Sequence, residues 1–170
     1  MTAIVIVIGT LGISACSGKE AGTATPAERD SSTTSAPSVG NQNVFANMNA
    51  CGVLDELVAG DGFQPGENKT ARNECVATKT RYGSAGVVLD PVQGLEEFRR
   101  TDPDSVEIKI NGRQALRSHD SDGFCDIAMK VSESARAIVG VSPVGSADFD
   151  ACTDTKKYAE ELEPMLPKVQ

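Results

Sequence analysis

One histidine occurs in the chain, His119, inside the run His119-Asp120-Ser121-Asp122-Gly123. An imidazole beside carboxylates is the raw material of general-base catalysis, which also needs a nucleophile and an orienting group close in space. The run sits between two strand patterns, and a hairpin tip is too exposed to hold such a triad in register. Calcium is the other chemistry that Asp120 and Asp122 suggest. With Gly123 at the sixth position of a calcium loop, Ser118 falls at the first and Met129 at the twelfth, where a bidentate Glu is needed. The run therefore reads as a turn. Arg113 is a candidate for binding an anionic ligand, with a salt bridge to a helix carboxylate as the favoured reading. Glu96/Glu97 and Glu160/Glu161 are adjacent on helical patterns, where neighbours point about 100° apart, so they read as solvated faces rather than catalytic pairs. No G-x-S-x-G, H-E-x-x-H, G-x-G-x-x-G or phosphate-binding loop occurs. The expectation is a non-enzymatic protein with no catalytic residues, no metal and no cofactor.

The thiols carry the remaining chemistry. There are five: Cys16, Cys51, Cys75, Cys125 and Cys152. Residues 3–15 form an uncharged apolar run. That is short of the roughly 20 residues of a membrane span and matches the roughly 7–15 of a signal-peptide core. Ile13-Ser14-Ala15 then precede Cys16, an apolar residue and two small ones before a thiol. This is the lipobox pattern, in which the thiol takes a diacylglycerol thioether and becomes the first residue after cleavage. Met1-Thr2 supplies no positive charge, so the natural start is expected upstream. Residues 17–43 are dominated by Ser, Thr, Gly, Ala and Pro. Such a segment cannot bury enough apolar surface to offset chain entropy, and as a tether it has a typical reach of about 30 Å. The expected organisation is a signal peptide (1–15), a lipidated Cys16 with its tether (16–43) and one domain (44–170).

Removing Cys16 leaves four cysteines in an exported chain, which reads as two disulfides. Four allow three pairings, and spacing does not choose among them. Met48, Cys51, Leu54 and Leu57/Val58 form a helical stripe, and Phe149, Cys152, Ala159 and Leu162 form another. Cys75 and Cys125 sit in strand patterns. Joining helix to helix and strand to strand gives Cys51–Cys152 and Cys75–Cys125 as the expected bridges.

These groups must be held by a domain of ordinary size. The chain has 170 residues, 39% hydrophobic but only 4% aromatic with no Trp, so its core is aliphatic. With 16 basic and 24 acidic side chains its net charge is −8, which argues against nucleic acid and against electrostatic attraction to anionic lipid. Helical spacing predicts a first helix over 47–59. Strand patterns follow at 74–81 and 85–89, then a short helix within 91–101. Val106, Ile108 and Ile110 alternate with Glu107 and Lys109, the clearest half-buried strand. Asn111-Gly112 suits a two-residue hairpin turn. Strand patterns recur at 113–118, 124–131 and 136–141. A last helix spans 148–163, with Asp148 or Asp150 as its N-cap. Consecutive strands between terminal helices predict an α+β fold, an antiparallel sheet of five or six strands.

The ordered set resembles an actinobacterial lipoprotein family called domain of unknown function 3558. It comprises the lipobox, the tether, Cys51-Gly52-Val53-Leu54, a strand cysteine, Asn111-Gly112-Arg113-Gln114-Ala115, Cys125-Asp126-Ile127, and a final helix opened by Cys152 and followed by Leu166-Pro167. The resemblance covers about residues 45–168. It departs at Asn49-Ala50, where the family usually has Asp-Pro, and at Ala77, where it commonly has an aromatic. It implies a surface-exposed lipoprotein with no assigned activity. The expectation is thus an anchored protein on the outer face of the cytoplasmic membrane. Its partners would be the membrane, through the acyl chains on Cys16, and a bound small molecule, lipid or envelope protein, but not nucleic acid. The expected role is a ligand-binding module, which needs an apolar cleft between sheet and helix; the alternative, an accessory protein-interaction subunit of an envelope complex, needs an exposed apolar patch. The anchor is tested by intact mass of the protein from its host. A chain beginning at Cys16 and carrying acyl mass is expected; an unmodified Cys16 or another N-terminus would refute it.

Overall fold

The computed structural model of the chain describes residues 43–118, 123–145 and 149–168. Cys16, the signal and tether residues 1–42, the run His119–Asp122 and Asp148 lie outside the described residues.

The domain is α+β. Helix α1 (Ala50–Leu57) precedes strands β1 (Glu74–Lys79) and β2 (Gly83–Asp90), helix α2 (Leu95–Thr101), strands β3 (Val106–Ile110), β4 (Arg113–Arg117), β5 (Cys125–Ser132) and β6 (Ala135–Pro143), and helix α3 (Ala151–Leu162). The six strands form one antiparallel sheet in the order β1-β2-β6-β5-β4-β3. Strand β6 therefore inserts between β2 and β5, which joins the two halves of the sequence.

Local chemistry starts and stops the helices. Asn49 caps α1 by accepting from the Gly52 N–H at 3.0 Å. The Asn73 amide ties that entry to β1, accepting from Ala50 N–H and donating to Met48 C=O, both at 2.9 Å. Asp150, rather than the alternative Asp148, caps α3 by accepting from Cys152 N–H at 2.9 Å. Between β3 and β4, Asn111 and Gly112 have φ of 48° and 92°, the two left-handed positions of a tight hairpin turn.

Helices α1 and α3 lie on one face of the sheet, hereafter the inner face. There Val87, Leu89, Ile127, Met129, Val139 and Val141 are fully buried, together with Leu54, Ala159 and Leu162 from the helices. Val106–Ile110, the clearest alternation in the sequence, proves to be the edge of this sheet. Ile110 is 1% exposed, but Val106 is 42% exposed. Alternation reports which face a side chain takes. It does not report whether a helix extends far enough to cover it.

The disulfides differ from the expected pairing. They are Cys51–Cys75 and Cys125–Cys152, with Cα atoms 5.0 and 5.1 Å apart. Cys75 and Cys125 do share the inner face, but β1 and β5 are three strand positions apart, about 14 Å, beyond the reach of a disulfide. Each helix instead staples to the strand beneath it, α1 to β1 and α3 to β5. The closed loops span 24 and 27 residues, so each bridge is worth about 3–4 kcal/mol on the chain-entropy model. Two such bridges indicate an oxidising, extracytoplasmic compartment. No helix among the described residues is long and apolar enough to cross a membrane.

An aromatic cluster closes one end of the inner layer. Tyr82 stacks on Phe149 with centroids 4.3 Å apart and meets Phe63 edge-on at 5.3 Å. Its hydroxyl donates to Asp154 at 2.7 Å, and Tyr158 donates to Asp61 at 3.0 Å. Burial first, and the accepting carboxylates second, push both phenols above the ordinary tyrosine value. A folded value above the unfolded one means this stabilisation is complete below about pH 10 and is lost as pH rises beyond it. These are the only two tyrosines in the chain. Alkaline titration followed at 295 nm should show both phenols ionising in one step with loss of native circular dichroism. Ionisation of either near pH 10 in a folded chain would refute the assignment.

Candidate functional site

The structure assigns Arg113 to the fold rather than to a ligand. Its side chain is buried on the inner face. Nε donates to the Glu163 carboxylate at 2.9 Å, and Nη1 donates to Lys130 C=O at 2.9 Å and Pro167 C=O at 3.0 Å. It clamps the segment after α3 to β4 and β5, and its charge is answered by a carboxylate at the helix end. Among the described residues no group of three His, Cys, Asp or Glu side chains could hold a metal ion.

The opposite, outer face of the sheet is only partly covered. Helix α2 lies over β4 and β5, with Phe98 packed on Leu116 and Ala128 and flanked by Leu95 and Ile138. A helix of seven residues cannot hold itself in place through helix propensity. It is anchored by a buried charged cluster. Asp90 Oδ1, at the end of β2, accepts from Val92 and Gln93 N–H at 3.0 and 3.1 Å, shaping the turn into α2. Arg136 faces Asp90 across the β2–β6 register. It donates through Nη1 to Gly94 C=O and through Nη2 to Gln93 Oε1, both at 2.9 Å. Its guanidinium carbon sits 5.6 Å from the centre of the Phe98 ring. Arg72 adds a second cation, donating to Asp90 Oδ2 at 3.0 Å. Burial lowers the Arg136 pKa, and Asp90 and Glu97 oppose that shift. Glu97 caps the helix by accepting from Gly94 N–H at 2.8 Å.

Beside α2 the outer faces of β1, β2 and β6 carry no covering element among the described residues. They form a shallow trough of about 200 Å³. Val76, Val88 and Ile138 cross it as an apolar stripe, and Ser84 and Ser142, paired in register, lie at one end. Val76 is 45% exposed. The floor includes Gly86 and Gly140. A Cβ on Gly140 would stand 1.8 Å from Asp126 Oδ1, so the glycine lets the Asp126 carboxylate lie flat over β6. Backbone-level glycines beside branched apolar side chains give a surface that takes the apolar groups of another molecule. The depression between α2 and the sheet is different. It holds about 130 Å³ and is lined by charged side chains, among which Arg99 pairs with Glu107 at 2.6 Å and Lys130 pairs with Glu133. That volume is well below the roughly 300 Å³ at which small-molecule sites begin.

Neither the Asp90–Arg136 cluster nor the trough is read from the sequence pattern, because each is assembled by the β2–β6 contact between distant segments. Asp90 closing an apolar strand and Arg136 opening one were the available signals.

In comparisons with protein-family models, curated proteins and solved structures, nothing matches the chain. The role of α2 is testable directly. Phe98→Ala removes the one fully enclosed aromatic between α2 and the sheet and should cost about 3 kcal/mol in denaturant unfolding. A loss below about 1 kcal/mol would mean that α2 does not hold the outer face together.

Proposed function

We propose that this chain is a lipid-anchored, non-enzymatic lipoprotein domain on the outer face of the cytoplasmic membrane, and that it acts by binding another envelope protein through the uncovered part of its outer sheet face. The observation that carries this reading is the trough across β1, β2 and β6, with its apolar stripe of Val76, Val88 and Ile138. The lipobox before Cys16 and the two disulfides support the location. The resemblance to the lipoprotein family named above fits the same location, and it remains part of the proposal.

Geometry favours a protein partner over an enclosed small molecule. The trough is open along its length, so a small ligand would bury only one side, whereas a second protein surface buries apolar side chains in extended contact. The net charge of −8 disfavours anionic partners at long range and leaves apolar contact as the main attraction.

A photo-crosslinking residue placed at Val76 or Val88 of the full chain in its host tests this reading. Each should yield the same discrete adduct with an envelope protein, and Val76→Lys, at the most exposed position of the stripe, should abolish the adduct formed from Val88 while leaving the thermal midpoint within a few degrees. Absence of an adduct at both positions, or an identical adduct from a crosslinker at exposed Lys156 on α3, would refute it.

A further inference from the structure

We propose that β3 is a self-complementary edge through which two copies of the chain pair, joining their sheets into one of twelve strands. Three observations carry this, and none depends on the trough or the anchor.

The edge is open. Strand β3 ends the sheet, and no backbone hydrogen bond among the described residues joins it to anything but β4. The opposite edge is closed. There Glu67 exchanges hydrogen bonds with Val76 at 2.9 and 3.1 Å, and Gln64 N–H donates to Thr78 C=O at 2.8 Å. One edge is therefore sealed by the chain and the other is left available.

The hydrogen-bond parity is set by the turn. A two-residue hairpin makes its flanking residues, Ile110 and Arg113, a hydrogen-bonded pair. Ile108 and Val106 then also direct their backbone groups to β4. Glu107 and Lys109 direct theirs outward. An antiparallel second copy centred on Ile108 brings Glu107 opposite Lys109 of the other copy. Both residues of each such pair present free N–H and C=O groups, so four main-chain hydrogen bonds form.

The side chains agree with that register. On the outer face each Glu107 meets the other copy's Lys109, giving two opposite-charge pairs. Lys109 is exposed and has no ion-pair partner among the described residues. Glu107 is already held by Arg99 at 2.6 Å, so it would lie between two cations. On the inner face Ile108 meets Ile108 on the two-fold axis, and Val106 meets Ile110. A one-residue slip would place Lys109 opposite Ile108 and lose every one of these matches.

The test exploits the axis. Ile108 and its copy form a non-hydrogen-bonded pair with Cα atoms about 4.5 Å apart, within disulfide reach. Val106 and its copy are about 14 Å apart. In the full chain carrying Cys16→Ser, so that no other unpaired thiol remains, Ile108→Cys should oxidise to a covalent dimer and Val106→Cys should not. Sedimentation gives a second readout that needs no new thiol. Lys109→Glu should weaken dimerisation about tenfold, and Glu107→Lys with Lys109→Glu should restore it, since the swapped edge is again self-complementary. Circular dichroism establishes that each variant is folded before it is compared. Equal oxidation at 106 and 108, no dimer at 108, or a parent chain that sediments as monomer at millimolar concentration would overturn the proposal.

Discussion

The sheet must be sealed by helices too short to hold it by burial alone, and the rest of the structure depends on how that is met. Helix α1 has eight residues and α3 twelve, and no Trp is available to add buried area. Most of the inner face is Ala, Val, Leu, Ile and Met, each worth about 1.5–3 kcal/mol at best when fully buried. The two disulfides supply the missing stability by fixing each helix to the strand under it. Their placement is also economical in space. Each joins an element to its immediate neighbour, so neither bridge requires the sheet to bend.

The outer face is organised by charge instead. Helix α2 contributes one enclosed aromatic, Phe98, and its position is fixed by Asp90 and Arg136 beneath its first turn. Burying a guanidinium is costly unless its charge and its donors are answered. Here the carbonyl of Gly94, the amide of Gln93 and the nearby Asp90 answer most of it, and Arg136 Nε alone is left without a hydrogen bond. An arrangement of that cost fixes where α2 can sit. Because α2 is confined to β4 and β5, the outer surface of β1, β2 and β6 stays open. The trough is a consequence of how little sheet a seven-residue helix can cover.

How much of this was legible follows from the range of the interactions. The strands, the terminal helices, the Asn111-Gly112 turn and the α+β class rest on period and turn chemistry within a few residues, and they appear in the sequence pattern. The cap of α3 was narrowed to Asp148 or Asp150 for the same reason, whereas Asn49, which caps α1, lay inside the expected 47–59 helix. The disulfide partners were not, because element type says nothing about which helix lies over which strand. That depends on β6 inserting between β2 and β5. The same insertion creates the Asp90–Arg136 pair and the trough, so the site was hidden for the same physical reason as the bridges. Arg113 shows the converse. Its charge at a turn left a ligand open as the lesser reading, and the favoured salt bridge to a helix carboxylate is what forms, because the segment at the end of α3 supplies Glu163 and Pro167 to it.

Pairing through β3 would give the trough a second property. An antiparallel edge contact has its two-fold axis perpendicular to the sheet, so both outer faces point the same way. The centre of each trough lies between β2 and β6, about four strand spacings from the axis. Two troughs would then stand about 40 Å apart on one surface, with both α2 helices between them. Five-residue edges bury little area, so such a pair is weak in free solution. Were the chains anchored in one membrane as proposed above, the effective concentration of one copy near another would rise. A partner that presents two matching apolar surfaces would engage both troughs at once, and its binding would strengthen the pairing by the same factor that pairing strengthens its binding. The edge and the face would thus be coupled without any change in the conformation of either copy.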